Sequence, residues 1–152
     1  MSQPCETTVS WLLPSPFVQT WKIEPQHIDH YNHVNNVAYL SRLESLAWAH
    51  SNHLGLKFAD YQDVGKGMVI RRHELDYLQP SHLNDELLCA TWIKQCDGKI
   101  TLTRQFQFVC PRRNKTVFQA RTQFVCVNMQ TGAPARMPAL FRDIYTTAAV
   151  NA

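Results

Sequence analysis

Acidic side chains almost vanish from the second half of this sequence: after position 97 only Asp143 remains, beside eight Lys and Arg, whereas residues 1 to 97 hold eleven Asp and Glu against seven Lys and Arg. The net charge of +3 hides that split. A basic half can attract an anionic ligand, or it can be the solvated face of strands. No Lys/Arg-Gly-aromatic motif of the RNP1 type is present, so a stranded RNA platform is not expected and nucleic acid is set aside as a partner. CxxC pairs are also missing. The cysteines are odd in number (Cys5, Cys89, Cys96, Cys110, Cys126), and four fall in strand-like stretches where a thiol packs as a small apolar group, so a reduced, cytoplasmic setting is expected. The amino terminus, MSQPCETTVSWLLPSPF, has neither a basic start nor an unbroken apolar run, so no signal peptide and no membrane span are expected there. Internal repeats and low-complexity tracts are absent. A chain of 152 residues is then expected to form one domain, large enough to bury a core without a metal or disulfide.

What is present has clear periodicity. Residues 1 to 20 hold three of the eight prolines and read as an extended arm, leaving 21 to 152 as the domain. TWKIEPQHI follows as a short strand candidate, placed at an edge or interrupted by its proline. From Asn36 to Leu54 apolar residues recur at helical spacing (Val37, Leu40, Leu43, Ala47, Leu54), with Asn35 or Asn36 as the cap and Gly55 as the stop. Only Arg42 and Glu44 carry formal charge within it, so this helix is expected to be enclosed rather than to lie with one side in water. Four strand-like runs supply the enclosure: 67–78, 85–96, 100–110 and 116–128. Their short turns predict antiparallel meander neighbours. The plan is α+β, a curved antiparallel sheet around one long helix, closed by a short tail with helical character.

Chemistry concentrates in HIDHYNHVNN, residues 27 to 36. Asp29 stands between a strand and the helix start, where free backbone N–H groups and the helix dipole favour an ionised carboxylate. It either caps the turn or serves a pocket, as nucleophile or as general base toward an activated carbonyl. His27, His30 and His33 invite a metal reading, but no acidic cluster or thiol pair completes a ligand set, so no metal is expected. A cysteine nucleophile is not expected either, since Cys89 and Cys126 sit in apolar alternation.

This stretch, continued by Val37-Ala38-Tyr39-Leu40 and then Glu44, resembles the hotdog-fold acyl thioesterases of the 4-hydroxybenzoyl-CoA thioesterase group; the His-Val-Asn-Asn core is also similar to that of plant-type acyl-ACP thioesterases. ELDYLQPSHLNDEL and VNMQTGAPARMP resemble further family signatures, so the likeness runs from about Trp21 to Tyr145. Two positions depart from the pattern. His27 replaces an aspartate, and Asn32 replaces a glycine, although asparagine tolerates the left-handed backbone a glycine would adopt there.

The resemblance implies a hotdog fold and hydrolysis of acyl-CoA thioesters without a dissociable cofactor. By position, Asp29 is the implied catalytic carboxylate, and His33 and Asn36 the residues on the first helical turn that position water or the thioester. Glu44, two turns after Asn36, is implied to orient a polar partner or the lytic water. Gly67 and Met68 match the implied oxyanion donors, though Gly65 and Gly67 can equally just shape a loop. Arg71, Arg72, Arg104, Arg112, Arg113 and Arg121 are available for the phosphates of CoA. The family also implies a homodimer or homotetramer with sites shared between subunits. Rival readings are an acyl-carrier-protein thioesterase, a non-catalytic acyl-binding protein of the same fold, and hydratase or dehydratase chemistry.

Overall fold

The computed structural model describes residues 9–150, so Cys5 and the first part of the expected arm lie outside the described residues. In chain order the elements are β1 (Phe17–Lys22), α1 (Asn36–His53), α2 (Phe58–Val64), β2 (Lys66–Tyr77), β3 (Glu86–Cys96), β4 (Thr101–Cys110), β5 (Lys115–Asn128) and α3 (Ala139–Ala148), with one 3-10 turn at Pro25–His27. The five strands form one antiparallel sheet in the order β1-β3-β4-β5-β2. That arrangement, with one long helix against the sheet, is the hotdog fold. Among the described residues no helix is long and apolar enough to cross a membrane.

The helix begins and ends as its residues dictate. Asn35 is extended and its Oδ1 accepts from the Ala38 backbone N–H at 2.8 Å, and Gly55 takes the left-handed backbone (φ +105°) that ends it. Tyr39, Leu43, Leu46, Ala47, His50 and Ser51 are buried on one face. Leu43 and Leu46 are wholly buried against Trp21, Phe106, Phe108 and Phe118, and each such side chain contributes about 1.5–3 kcal/mol by leaving water. Tyr39 stacks on Phe118 (centroids 5.0 Å apart) and donates its hydroxyl to Ser81 Oγ at 2.9 Å. The other face stays open: Val37 is 74% and Trp48 50% exposed. Complete enclosure of the helix is therefore not achieved within one chain.

Three expectations need correction. β1 starts at Phe17, inside the stretch read as an arm, because Phe17 pairs with Thr91 and stacks on the buried His50 ring at 5.0 Å. It ends at Lys22, and Pro25, which has no N–H for a ladder, opens the 3-10 turn instead. Second, β2 and β3 are not hairpin neighbours. β2 pairs with β5 and β3 with β1 and β4, so the segment between Tyr77 and Glu86 crosses the end of the sheet. Three strand spacings are about 14 Å, well within the reach of eight extended residues. Ser81 anchors that crossing by accepting the Val34 N–H at 2.8 Å. Third, α2 has no counterpart in the sequence reading.

β4 is the central strand. Leu102, Phe106 and Phe108 face the helix side, while Gln105 and Gln107 face the opposite side and are buried too. Residues before β1 cover that second side: the Leu12 N–H donates to Gln107 Oε1 at 2.9 Å, and Trp92 Nε1 donates to the Pro14 carbonyl at 2.9 Å.

Candidate active site

The loop from Ile28 to Val34 is closed on itself. Its ends form an isolated antiparallel bridge, and the Asp29 N–H donates to the His33 carbonyl at 2.9 Å. Asp29 Oδ1 accepts the Tyr31 N–H at 2.8 Å and the His33 N–H at 3.3 Å. A short side-chain acceptor two residues before its donor is what makes Asp effective in such turns. Oδ2 has no hydrogen-bond partner among the described residues. Asn32 adopts φ +60°, the conformation its amide side chain tolerates where glycine is more usual. Asn35 ties the loop to the helix, its side-chain amide donating to the His27 carbonyl at 3.2 Å. His27 Nδ1 accepts the Glu24 N–H at 3.0 Å, and the His33 ring meets His82 edge-on. Asn36 is exposed on the first helical turn, its carbonyl accepting the Tyr77 hydroxyl at 3.3 Å. Among the described residues no three His, Cys, Asp or Glu side chains converge as a metal site would require.

A cavity of about 340 Å³ lies farther along α1, between that helix, α2, β2, β4, β5 and α3. Leu43, Ala47, Trp48, Phe58, Met68, Ile70, Leu102 and Phe124 make most of its wall apolar, and Glu44 and Gly67 also line it. A Cβ at Gly67 would stand 2.7 Å from Met129 Sδ, so only glycine leaves both the strand and the Met129 side chain where they are. Of the residues singled out in the sequence, Glu44, Gly67 and Met68 therefore come together. Asp29, His33 and Asn36 do not line this cavity. Arg71 is the extra residue of a bulge in β2, where the register with β5 shifts, and is exposed on the sheet edge.

The buried end of the cavity is polar, and the sequence reading missed it. Arg104 is 2% exposed, not at a cavity mouth as a phosphate ligand would be. Its guanidinium donates to His50 Nδ1 and to Ser51 Oγ, both at 2.6 Å. Ser51 Oγ lies 3.0 Å from the Tyr145 hydroxyl, which lies 2.8 Å from that of Tyr61. Burial, then the neighbouring Arg104 charge, lowers the His50 pKa to about 3, so the ring is neutral and free to accept. Burial pushes the Tyr61 phenol up and keeps it protonated. The signal was available: Arg104 occupies the phase of β4 that Leu102 and Phe106 share, which is an inward position.

Other cations are committed elsewhere. Arg113 pairs with Asp85 (3.3 Å) and donates to the Pro80 carbonyl, while Arg72 pairs with Glu74 at 3.1 Å. Arg71, Arg112 and Arg121 remain exposed. Burial also raises the thiol pKa of Cys89 and Cys126, which stay protonated in the core.

The antiparallel sheet and the long helix against it are those of the hotdog fold. The chain belongs to the Thioesterase-like superfamily, whose sequence model matches residues 23–144. It is 28% identical over 111 residues to the long-chain acyl-CoA thioesterase FadM of Escherichia coli, covering 72% of this chain and 82% of that protein. Among solved structures it resembles a Staphylococcus aureus hypothetical protein in complex with CoA (TM-score 0.80, 16% identity, 92% of this chain and 89% of that one). It also resembles a 1,4-dihydroxy-2-naphthoyl-CoA thioesterase from Synechocystis (TM-score 0.77, 16% identity, 87% and 96%).

Proposed function

We propose that this protein hydrolyses acyl-CoA thioesters to the free acid and CoA, with the acyl group in the apolar cavity and the thioester carbon beside Gly67 and Met68. The observation that carries the reading is the cavity: an apolar chamber walled by a glycine-bearing strand on one side and by Glu44 on another, in a chain of the Thioesterase-like superfamily. Glycine lets a carbonyl oxygen come within hydrogen-bond reach of the backbone, where N–H groups stabilise the charge that develops on it. A carboxylate either draws the proton from the attacking water or attacks the carbon itself; the C–S bond then breaks and the CoA sulfur leaves as thiolate.

Asp29 is the carboxylate we assign to that step. It matches the 4-hydroxybenzoyl-CoA-type motif, it is held rigidly by two backbone N–H groups, and its Oδ2 is free to act. Since it does not line the apolar cavity of its own chain, it acts in that of a second copy, with His33 and Asn36 beside it and Glu44 orienting water. The homodimer or homotetramer this requires has an edge to form on: β2 pairs on one side only and leaves Val69 and Ile70 each 41% exposed. Arg71, on the bulge of that edge, is then placed for the CoA phosphates.

The test is thiol release from aromatic, short and long acyl-CoAs, with acyl-carrier-protein thioesters run in parallel. Gly67→Val, which sets a branched side chain against Met129 on the cavity wall where the thioester is proposed to lie, is expected to misplace the reacting carbonyl and lower kcat/KM on the order of 100-fold, while Met129, free to move aside, lets the protein stay folded. Co-expressing Gly67→Val with Asp29→Asn then probes sharing between subunits. Random pairing regenerates intact sites and about a quarter of wild-type activity if Asp29 works in trans within a symmetric dimer. No recovery would remove Asp29 from the partner's cavity. A second reading, an acyl-holding protein without turnover, is favoured by the position of Asp29 outside its own chain's cavity; it predicts acyl-CoA binding without thiol release.

A further inference from the structure

We propose that the cavity selects acyl groups whose far end carries a carboxylate, received by Arg104, Ser51, Tyr61 and Tyr145. The inference rests on the reading above that the acyl group occupies this cavity, and it goes beyond it by naming the class of acyl chain.

Counting donors and acceptors at the buried end carries the case. A guanidinium has five N–H groups. Arg104 donates to His50 Nδ1 and Ser51 Oγ, both at 2.6 Å, and the Tyr145 hydroxyl stands beside the same guanidinium, so at least two N–H groups are left over among the described residues. The three hydroxyls of Ser51, Tyr145 and Tyr61 are joined by two contacts, and each contact uses one hydroxyl hydrogen. Whichever way the protons point, one O–H is left over. The imidazole acceptor is already taken, and among the described residues no carboxylate lies within 4.0 Å of the guanidinium. The cluster is therefore rich in donors, short of acceptors and positively charged.

A buried charge with only neutral partners carries a desolvation cost that an opposite charge offsets. A methyl-terminated chain reaching this end would add no acceptor and would displace any water that supplied one. A carboxylate accepts from the guanidinium fork in bidentate fashion and from the spare hydroxyl as well. Ser51, Tyr61, Arg104 and Tyr145 all line the same cavity as Glu44 and Gly67, so the cluster faces the proposed acyl site. Glu44 and Ser51 are seven residues apart on α1, about 10 Å along its axis, which separates the polar end from the proposed reacting end by the length of a medium chain.

The experiment compares adipoyl-, suberoyl- and sebacoyl-CoA with hexanoyl-, octanoyl- and decanoyl-CoA. Wild type is expected to favour the ω-carboxyacyl member at its best length by about ten-fold or more in kcat/KM. Arg104→Met is expected to reverse that ratio while still cleaving methyl-terminated chains, and Arg104→Lys to retain part of it. A methyl-terminated preference at every length in wild type overturns the proposal without recourse to any variant, as does a ratio unmoved by Arg104→Met. Calorimetric binding of free adipate, suberate and sebacate against the matched monoacids is the second arm. If no thioester is cleaved, the hydrolase reading fails, and this arm alone decides: tighter binding of diacids that Arg104→Met abolishes upholds the carboxylate site, and equal binding removes it.

Discussion

Asp29→Asn is expected to lower kcat by about 10²–10⁴-fold, the range for a positioned proton-transfer group, with KM changed far less. Asparagine is the informative substitution because its Oδ1 still accepts the Tyr31 and His33 backbone N–H groups that hold the loop, while the ionisable oxygen is lost. Alanine would also release the loop, so a loss there would mix chemistry with folding. Steady-state kinetics on the best acyl-CoA, beside a thermal melt of each variant, separates the two. An Asp29→Asn enzyme with full kcat would transfer the chemistry to Glu44, the carboxylate that already lines the cavity of its own chain. Glu44→Gln is then the variant that must lose activity.

The second large effect is on stability, and it depends on pH. His50 has a folded pKa of about 3 against an ordinary 6.5. The unfolded chain therefore binds a proton at this site that the native state refuses, throughout the interval between those values. Stability is fully present above about pH 6.5 and is lost as pH falls toward 3, by on the order of 4 kcal/mol over the whole interval. The cause is burial first, since a charged ring would be held out of water; protonation would also set a second cation against Arg104 and remove the acceptor for its N–H at 2.6 Å. Urea unfolding at a series of pH values should show the midpoint falling through this window. His50→Gln, which offers an acceptor but does not titrate, should flatten the slope.

The parts of this fold that the sequence made plain are those where one face of an element decides its pattern. α1 was legible because its apolar spacing and its Asn35 and Gly55 boundaries agree, and β4 and β5 because their side chains alternate. Asn32 was legible for a different reason, since few other side chains accept its backbone angle. The meander was legible for β3, β4 and β5, which do pair in that order, but the place of β2 was not. Short turns suggested a meander, but the stretch between Tyr77 and Glu86 is tethered through Ser81 to the loop before α1 and through Asp85 to Ile23, contacts between residues far apart in the chain. α2 is seven residues long, too short for a helical period to register. Arg104 was weighed by its charge, which pointed outward, although its phase in β4 pointed inward. Asp29 was placed by its motif alone, and spacing along the chain does not say that the apolar cavity opens farther along α1, beside Glu44 and Gly67.

The sheet order has a consequence for how the chain comes together. β2 and β5 are synthesised about 40 to 60 residues apart, with β3 and β4 between them, and pairing at such separations is slow because loop entropy must be overcome first. α1 leaves the ribosome before any of β2 to β5, so its apolar face waits in solvent for a surface that does not yet exist. The nascent helix is for that interval the part of this protein most in need of a chaperone.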